Sequence, residues 1–378
     1  MLNTTRHKHG WTSEVFDLRR VCLGRGSPIM LDQVSARRLG AALGAGAIVV
    51  IMSLALVSEP PRASATTPED FKAMLVRLND DRTMPTLGLG TFRLKPGDTT
   101  YNAVYSALSL GIRHIDTADA YNNEADIGRA VEVFTRERDV PREQIFITTK
   151  LPFGGVKTYE EALAALRGSL KKLGMQYVDL YLIHNPHGQD AARRMAQWDA
   201  LTEAKRLGLA KSIGVSDYKA DALRELVKLS TPPAVLQIEV SPWLASERAE
   251  ELALCELYGI QVVAWGAMTG PKGKGEGKKF EDPKVLQVVE EFDPPGEDAA
   301  SILLRWSLQR GFAPIVTSTS RLHQASNLAV AQGYSMGEAL SPSAMAMLGT
   351  LAEKPYFSMG ADLARKPDEI GGAGPVQS

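Results

Sequence analysis

Short apolar runs that end in a polar or aromatic side chain recur along the chain, and stretches with helical spacing separate them. The runs are continuously apolar more than alternating, which is typical of parallel strands that helices cover on both faces. Their ends, in chain order, are Asp116, Lys150, His184, Ser216, Gln237, Trp265 and the pair Thr317-Ser318. The pattern therefore predicts a series of strand–helix units whose strand ends carry chemically useful side chains.

The stretches between these runs have the features of helices that stop at a glycine. Thr158 and Glu161 have the spacing of a capping box, and Gly174 closes the helix that they begin. A glycine after a helix supplies the left-handed conformation that ends it. The same arrangement precedes other strands at Gly111, Gly208, Gly259 and Gly311.

Seven or eight such units over roughly 280 residues match a single (β/α)8 TIM barrel in size. A doubly wound sheet is the alternative, and it needs a glycine-rich phosphate turn and a helix after its first strand. The Gly88-Leu89-Gly90 motif lacks the third glycine and the helix. We therefore predict the barrel, preceded by a hydrophobic N-terminal segment, and interpret residues 88–90 as the approach to its first strand.

The strand ends of such a barrel line its active-site face. We expect Asp116, Lys150 and His184 on strands two, three and four, with Tyr121 in the loop after strand two. A lysine beside a tyrosine lowers the pKa of the phenol, and an aspartate keeps that lysine charged. Together with a histidine that polarises a carbonyl oxygen, these groups suit carbonyl reduction by hydride transfer. The hydride has to come from a cofactor.

Other interpretations of the same residues stay open at this point. An aspartate at a strand end often caps a loop, and a single lysine is commonly solvated. With six histidines in the chain we expect no metal site. A basic stretch at residues 272–279 lacks the spacing and the Ser/Thr of a phosphate loop. A barrel hydrolase or isomerase that uses no hydride donor, and a non-catalytic regulatory or sensor subunit that binds such a cofactor, remain alternatives.

Charge and cysteine content restrict the partners. The 378 residues carry 44 acidic and 43 basic side chains, a net charge of -1, so a nucleic-acid partner is not expected. Two cysteines exclude a disulfide framework and a thiolate zinc site. A small carbonyl compound is the expected partner, and we expect the barrel to be monomeric.

The N-terminal part of the chain differs in kind. Residues 1–38 form a basic leader, and residues 39–57 contain no charged side chain. About 20 apolar residues span a bilayer, so we predict a single-pass anchor with the barrel on the non-cytosolic side. Cleavage near Ala65, which would give an exported or organellar protein, is the alternative. A linker at 58–70, the barrel at 71–357 and a flexible tail at 358–378 follow.

The chain resembles the aldo-keto reductases, in particular those of the 2,5-diketogluconate and aldose reductase type. The matching stretches are MPTLGLGTF (84–92), GIRHIDTADAYNNEADIG (111–128), IFITTKL (145–151), LKKLGMQYVDLYLIHNP (170–186), SIGVSDY (212–218) and LQIEVSPW (236–243). The resemblance implies a barrel that binds NADP(H) in extended form without a Rossmann domain. It also implies a catalytic tetrad with Tyr121 as general acid, the other members being Asp116, Lys150 and His184.

The resemblance assigns further residues to the cofactor. Ser216 and Gln237 match positions that hydrogen-bond the nicotinamide carboxamide, and Trp265 matches the aromatic residue that stacks on the ring. Asp217 stands where the family usually has asparagine, and a carboxylate cannot donate a hydrogen bond. Residues 266–268 also depart from the family pattern.

The residues expected around the phosphate end of the cofactor also depart from the family pattern. Thr317 replaces a lysine and His323 an arginine, while Ser318 and Asn327 offer a hydroxyl and an amide. A helix N-terminus, expected after strand eight, favours anions. We therefore predict NADP(H) binding with a weakened preference over NAD(H), unless Arg321 supplies the missing charge.

Overall fold

A closed barrel of eight parallel strands forms the centre of the computed structural model, which describes residues 74–154, 156–186, 189–268, 279–292 and 297–352. The strands are β1 (Leu75–Arg77), β2 (Thr83–Pro85), β3 (Gly88–Gly90), β4 (His114–Asp116), β5 (Phe146–Lys150), β6 (Val178–Ile183), β7 (Ala210–Ser216), β8 (Val235–Glu239), β9 (Gln261–Trp265) and β10 (Ala313–Val316). Strands β3 to β10 pair in chain order, and β10 closes the barrel against β3. The predicted (β/α)8 fold is confirmed.

Helices connect the barrel strands, and two more follow the last strand. They are α1 (Asp98–Leu110), α2 (Glu124–Arg138), α3 (Tyr159–Leu173), α4 (Ala191–Arg206), α5 (Ala220–Leu226), α6 (Ala249–Tyr258), α7 (Pro283–Glu291), α8 (Ala299–Gln309), α9 (Arg321–Ser335) and α10 (Pro342–Gly349). Short 3-10 helices lie at Asp119–Tyr121, Arg142–Gln144 and Ala245–Arg248. The capping box predicted at Thr158 begins α3, and Gly174 ends that helix in the left-handed conformation.

Helix packing and strand register bring the strand ends to one rim. Asp116 lies opposite Thr148 in the pairing of β4 with β5, and Ser216 lies opposite Gln237 in that of β7 with β8. Parallel strands that start and stop together expose their carboxyl ends on the same face of the barrel. The polar strand ends predicted from the sequence therefore face a common space.

An antiparallel hairpin, β1–β2, precedes the barrel and was not predicted from the sequence. Its Met84 is fully buried and packs with the apolar side chains of the barrel interior. The sequence interpretation of residues 88–90 needs a correction as well, because Gly88–Gly90 is the first barrel strand itself. A side chain at Gly88 would lie 2.8 Å from His114 Nδ1, so the crowded interior requires glycine there.

Several predicted segments lie outside the described residues: the basic leader at 1–38, the apolar segment at 39–57, the linker at 58–70 and the tail at 358–378. Residues 71–73 and 353–357, at the two ends of the predicted barrel range 71–357, also lie outside the described residues. Within the described ranges, no helix is long and apolar enough to cross a membrane.

Candidate active site

Four side chains predicted from the sequence meet at the rim of the barrel. Lys150 Nζ donates to Asp116 Oδ1 at 2.5 Å, to the Thr117 carbonyl oxygen at 2.8 Å and to the Tyr121 hydroxyl at 3.4 Å. The Tyr121 hydroxyl lies 3.5 Å from His184 Nε2. The structure thus places Asp116, Lys150, Tyr121 and His184 in one hydrogen-bonded chain.

The charges in this chain of groups are buried, so each of them needs a partner. Lys150 is completely buried, and a buried ammonium is tolerated only when its donors are satisfied. All three acceptors named above are oxygens, and the nearest belongs to a carboxylate that is itself buried. Removing either member of such a pair leaves an uncompensated buried charge.

The pKa of Lys150 and that of Tyr121 both lie above their usual values. Burial lowers the pKa of Lys150, but Asp116 and Tyr121 together raise it further, so the ammonium stays charged. Burial raises the pKa of Tyr121, and the opposing effect of Lys150 is smaller. The expectation that the lysine gives the phenol a lowered pKa was therefore wrong in its net direction, since desolvation is the larger effect. The phenol is protonated at neutral pH.

His184 is neutral. Burial, with a smaller contribution from the charge of Lys150, lowers the pKa of His184 to about 2. A neutral imidazole can offer an N–H to an oxygen at one nitrogen only. At neutral pH His184 therefore polarises or orients, and the phenol of Tyr121 holds the transferable proton.

A short helix and its neighbours hold Tyr121 in place. The residue ends the 3-10 helix Asp119–Tyr121, and the next residue, Asn122, has a left-handed backbone that turns the chain into α2. Asn123 accepts from Thr117 Oγ1 at 3.0 Å and donates to the Thr91 carbonyl oxygen at 2.9 Å. The loop that carries the phenol is thereby tied to the strand end on either side.

Tyr121 and His184 open into a cleft of about 540 Å³. Two half-exposed aromatic rings stand beside them. Phe92 lies 5.1 Å from the Tyr121 ring, and Phe153 stacks on His184 with 3.9 Å between the ring centroids. Arg93 and Lys279, the last residue of the basic stretch 272–279, also line the cleft. The sequence interpretation missed Phe92, Phe153 and Arg93, because loop residues carry no periodic signal.

The residues predicted for the nicotinamide line the same cleft. Ser216, Asp217, Gln237 and Trp265 all contribute to its wall. Gln237 Nε2 donates to Asp116 Oδ2 at 2.8 Å, which commits its amide nitrogen to the tetrad. Trp265 Nε1 donates to Asp217 Oδ1 at 3.2 Å, so the carboxylate at this unusual position holds the indole ring.

A second cleft, of about 680 Å³, continues from the first and shares Met268 and Thr317 with it. Its wall includes the four residues predicted for the phosphate end of the cofactor, Thr317, Ser318, His323 and Asn327. Two carboxylates, Glu297 and Asp298, line it too.

Arg321 takes no part in the wall of the second cleft. Its guanidinium points to α1, with Nη1 at 3.4 Å from the Ser106 carbonyl oxygen. Ser320 caps α9, whose N-terminus lies beside the cleft. The two adjoining clefts offer an aromatic wall at one end and a helix N-terminus at the other, so the residues present fit NADP(H).

No group of three or more potential metal ligands lies among the described residues. His114, whose spacing from Asp116 could suggest a metal, is buried in the barrel interior with its Nε2 hydrogen-bonded to Thr148 Oγ1 at 2.9 Å.

Comparison with known proteins agrees with this geometry. Residues 86–335 match the model of the aldo/keto reductase family. An aldo-keto reductase from Mycolicibacterium smegmatis is 40% identical over 258 residues, covering 68% of this chain and 84% of that protein. A morphine 6-dehydrogenase from Pseudomonas putida is 37% identical over 288 residues, covering 74% and 92%.

Solved structures show the same likeness. The crystal structure of an aldo-keto reductase of Bombyx mori in complex with NADP has a TM-score of 0.66 and 30% identity, over 76% of this chain and 96% of that one. An aldo/keto reductase from Brucella melitensis has a TM-score of 0.64 and 33% identity, over 73% and 98%.

Proposed function

The chain belongs to the aldo/keto reductase family, and on that premise we propose that it reduces aldehydes or ketones to alcohols with NADP(H). The observation that carries the proposal is the buried hydrogen-bonded chain from Asp116 through Lys150 to Tyr121, which ends at His184 in an open cleft. NADP-bound relatives and the paired clefts support the choice of cofactor.

Bound NADPH would supply a hydride to the carbonyl carbon. The chain's own residues would then protonate and orient the carbonyl oxygen. Tyr121 donates its proton to the developing alkoxide, and the neutral His184 orients that oxygen by a hydrogen bond. Lys150 stabilises the phenolate that remains, because its ammonium lies 3.4 Å from the phenol oxygen. Asp116 keeps the ammonium charged and in position.

Further residues would hold the cofactor. We propose that the Trp265 indole, fixed by Asp217, stacks on the nicotinamide and that the Ser216 hydroxyl faces its carboxamide. Gln237 has one amide oxygen left for the carboxamide, since its nitrogen binds Asp116. Thr317, Ser318, His323 and Asn327 would surround the phosphate end.

The shape of the cleft favours substrates with a planar apolar body. Phe92 and Phe153 are 52% and 53% exposed and flank the Tyr121–His184 pair. Exposing a large apolar side chain to water is unfavourable. Beside a catalytic group, such a side chain is buried when an apolar ligand binds, which favours binding of that ligand. An aromatic aldehyde fits this wall better than a sugar does. A purely regulatory, non-catalytic role is not favoured, because it would not require the buried Lys150–Asp116 pair.

Cofactor oxidation with a panel of aldehydes tests the proposal. We expect the absorbance of NADPH to fall with aromatic aldehydes and the loss to stop in Tyr121→Phe, whose cofactor affinity stays within a few-fold of the unaltered chain. The phenol proton is needed only in the transition state, so its removal should appear in kcat. Unchanged turnover in that variant would refute the assignment of the proton donor.

A further inference from the structure

Among the residues that the structure describes, none hydrogen-bonds the buried Nδ1 of His184. The residue is 6% exposed, and its Nε2 faces the Tyr121 hydroxyl. In most functional histidines a partner on the second nitrogen fixes the tautomer and the plane of the ring. Packing against the faces of the ring therefore has a large share in orienting His184.

An aromatic ring occupies the face of the imidazole. Phe153 stacks on it with centroids 3.9 Å apart and 24° between the planes, and the Tyr121 ring meets it edge-on at 5.6 Å. Two rings at these angles leave the imidazole little freedom to rotate. Stacked and edge-on aromatic pairs have preferred geometries, so these contacts orient the imidazole as well as bury it.

Half of the surface of Phe153 is exposed, but hydrogen bonds from α4 hold the backbone that follows it. Arg193 on α4 donates from Nη2 to the Gly154 carbonyl oxygen at 2.6 Å and from Nε to that of Val156 at 2.8 Å. The buried Gln197 amide donates to the same Val156 oxygen at 2.9 Å. Arg193, which belongs to α4, therefore hydrogen-bonds the loop on the C-terminal side of Phe153.

We propose that Phe153 is the positioning residue of His184, and that Arg193 in turn positions Phe153. The inference rests on the proposed function insofar as it concerns catalysis, but the packing of the imidazole can be measured without turnover. The stack also excludes water from the ring. The charged and titratable groups on its other sides are Tyr121, which faces Nε2, and Lys150 with its partner Asp116.

Histidine proton NMR of the full chain provides the test, with His184→Gln used to assign the resonance. In Phe153→Leu water reaches the imidazole, so the pKa of His184 is expected to rise into the titratable range. The value of kcat for an aromatic aldehyde, at saturating NADPH, is expected to fall about tenfold because the ring loses its orientation. Phe153→Tyr keeps the stack and should restore both quantities to within about twofold.

Two arginines of α4 give a matched pair that leaves the cleft untouched. Arg193→Met releases the loop and should shift the His184 titration in the same direction, by less. Arg206→Met removes an arginine that pairs with Glu203 on the same helix and should change nothing. Phe92→Leu, on the Tyr121 side of the cleft, should alter KM without moving the His184 titration.

The outcomes separate the two ideas. A folded Phe153→Leu protein whose His184 titrates as in the unaltered chain, or in which KM alone changes, would overturn the positioning role. A shifted titration in a chain that reduces no carbonyl compound would support the positioning role and contradict the proposed function.

Discussion

At the scale of single residues, Lys150 connects the structure of the site to its chemistry. It has no contact with water, and its three donors reach a carboxylate, a carbonyl oxygen and the phenol of Tyr121. The same ammonium lowers the pKa of Tyr121, against the larger effect of burial. It therefore has two roles that substitution removes together.

Lys150→Met should raise the pKa of Tyr121 further, because the one strong opposing charge is gone. A proton donor loses activity as the pH rises through its pKa, so the alkaline limb of the pH–rate profile should move to higher pH. The maximal rate should fall by about 100-fold or more, since the phenolate loses its stabilising cation. If the profile of the variant overlays that of the unaltered chain, the two residues are not coupled.

Cofactor choice also depends on single residues. The wall of the second cleft holds Thr317 and His323 but also Glu297 and Asp298, and Arg321 is turned towards α1. We predict that the dissociation constant of NADH exceeds that of NADPH only slightly.

Thr317→Lys should increase the preference for NADPH about tenfold, because a lysine is charged and pairs with a phosphate. Fluorescence titration with the two cofactors measures the preference of the variant and that of the unaltered chain. A large preference for NADPH in the unaltered chain would show that Arg321 turns into the cleft, and it would contradict the predicted weak preference.

At the scale of elements, the short helix that carries Tyr121 is tied to three neighbours. Its Asp119 pairs with Lys172 near the end of α3, and Lys172 Nζ also lies 3.3 Å from the buried Glu124 carboxylate at the start of α2. Glu124 in turn accepts from Thr149 Oγ1 at 2.7 Å, next to Lys150 on β5. This network joins the element bearing the phenol to the strand bearing the ammonium.

A double-mutant cycle on Lys172 and Asp119 tests the network. Each of Lys172→Met and Asp119→Asn should lower kcat, by up to about fivefold for an exposed pair, with KM little changed. The lysine variant should have the larger effect, because it also removes a partner of the buried Glu124. The double variant should be no worse than Lys172→Met alone.

Arg136→Met, which breaks an exposed pair with Glu132 on α2, is the control and should leave kcat unchanged. Additive losses in the double variant, or a loss of thermal stability with no change in kcat, would mean that the network does not position Tyr121.

Elements with a strong local signal could be predicted from the sequence. The strand ends were found because a continuous apolar run followed by one polar residue is a local pattern, as at Asp116 and Gln237. The start of α3 was found because a capping box has a fixed spacing. The hairpin β1–β2 was missed, since its second strand, Thr83–Pro85, has no continuous apolar run.

Contacts between distant parts of the chain could not be predicted in the same way. The stack of Phe153 on His184 joins two loops, and the direction of the pKa of Tyr121 depends on how deeply the closed barrel buries it. The hydrogen bond from Gln237 to Asp116 spans 121 positions in the chain. Such features follow from closure of the barrel and have no counterpart in local sequence.

At the scale of the whole molecule, the barrel closes within the described residues, while the apolar segment 39–57 lies outside them. We propose that this segment attaches the protein to a membrane. Full-length protein should stay with the membrane fraction after extraction at high pH, and a chain without residues 39–57 should be released. Release of the full-length, unshortened chain would contradict the anchor. A chain shortened near Ala65 would support cleavage instead.

Hydride transfer from a nicotinamide, with Tyr121 as the proton donor, is the central step of the proposed reaction. The most direct test uses NADPH deuterated at the transferred position, an aromatic aldehyde and mass spectrometry of the product. We predict one deuterium on the carbinol carbon of the alcohol formed by the unaltered chain, and no alcohol from Tyr121→Phe despite cofactor binding within a few-fold. Alcohol without deuterium, or deuterated alcohol from Tyr121→Phe at the unaltered rate, would contradict the account.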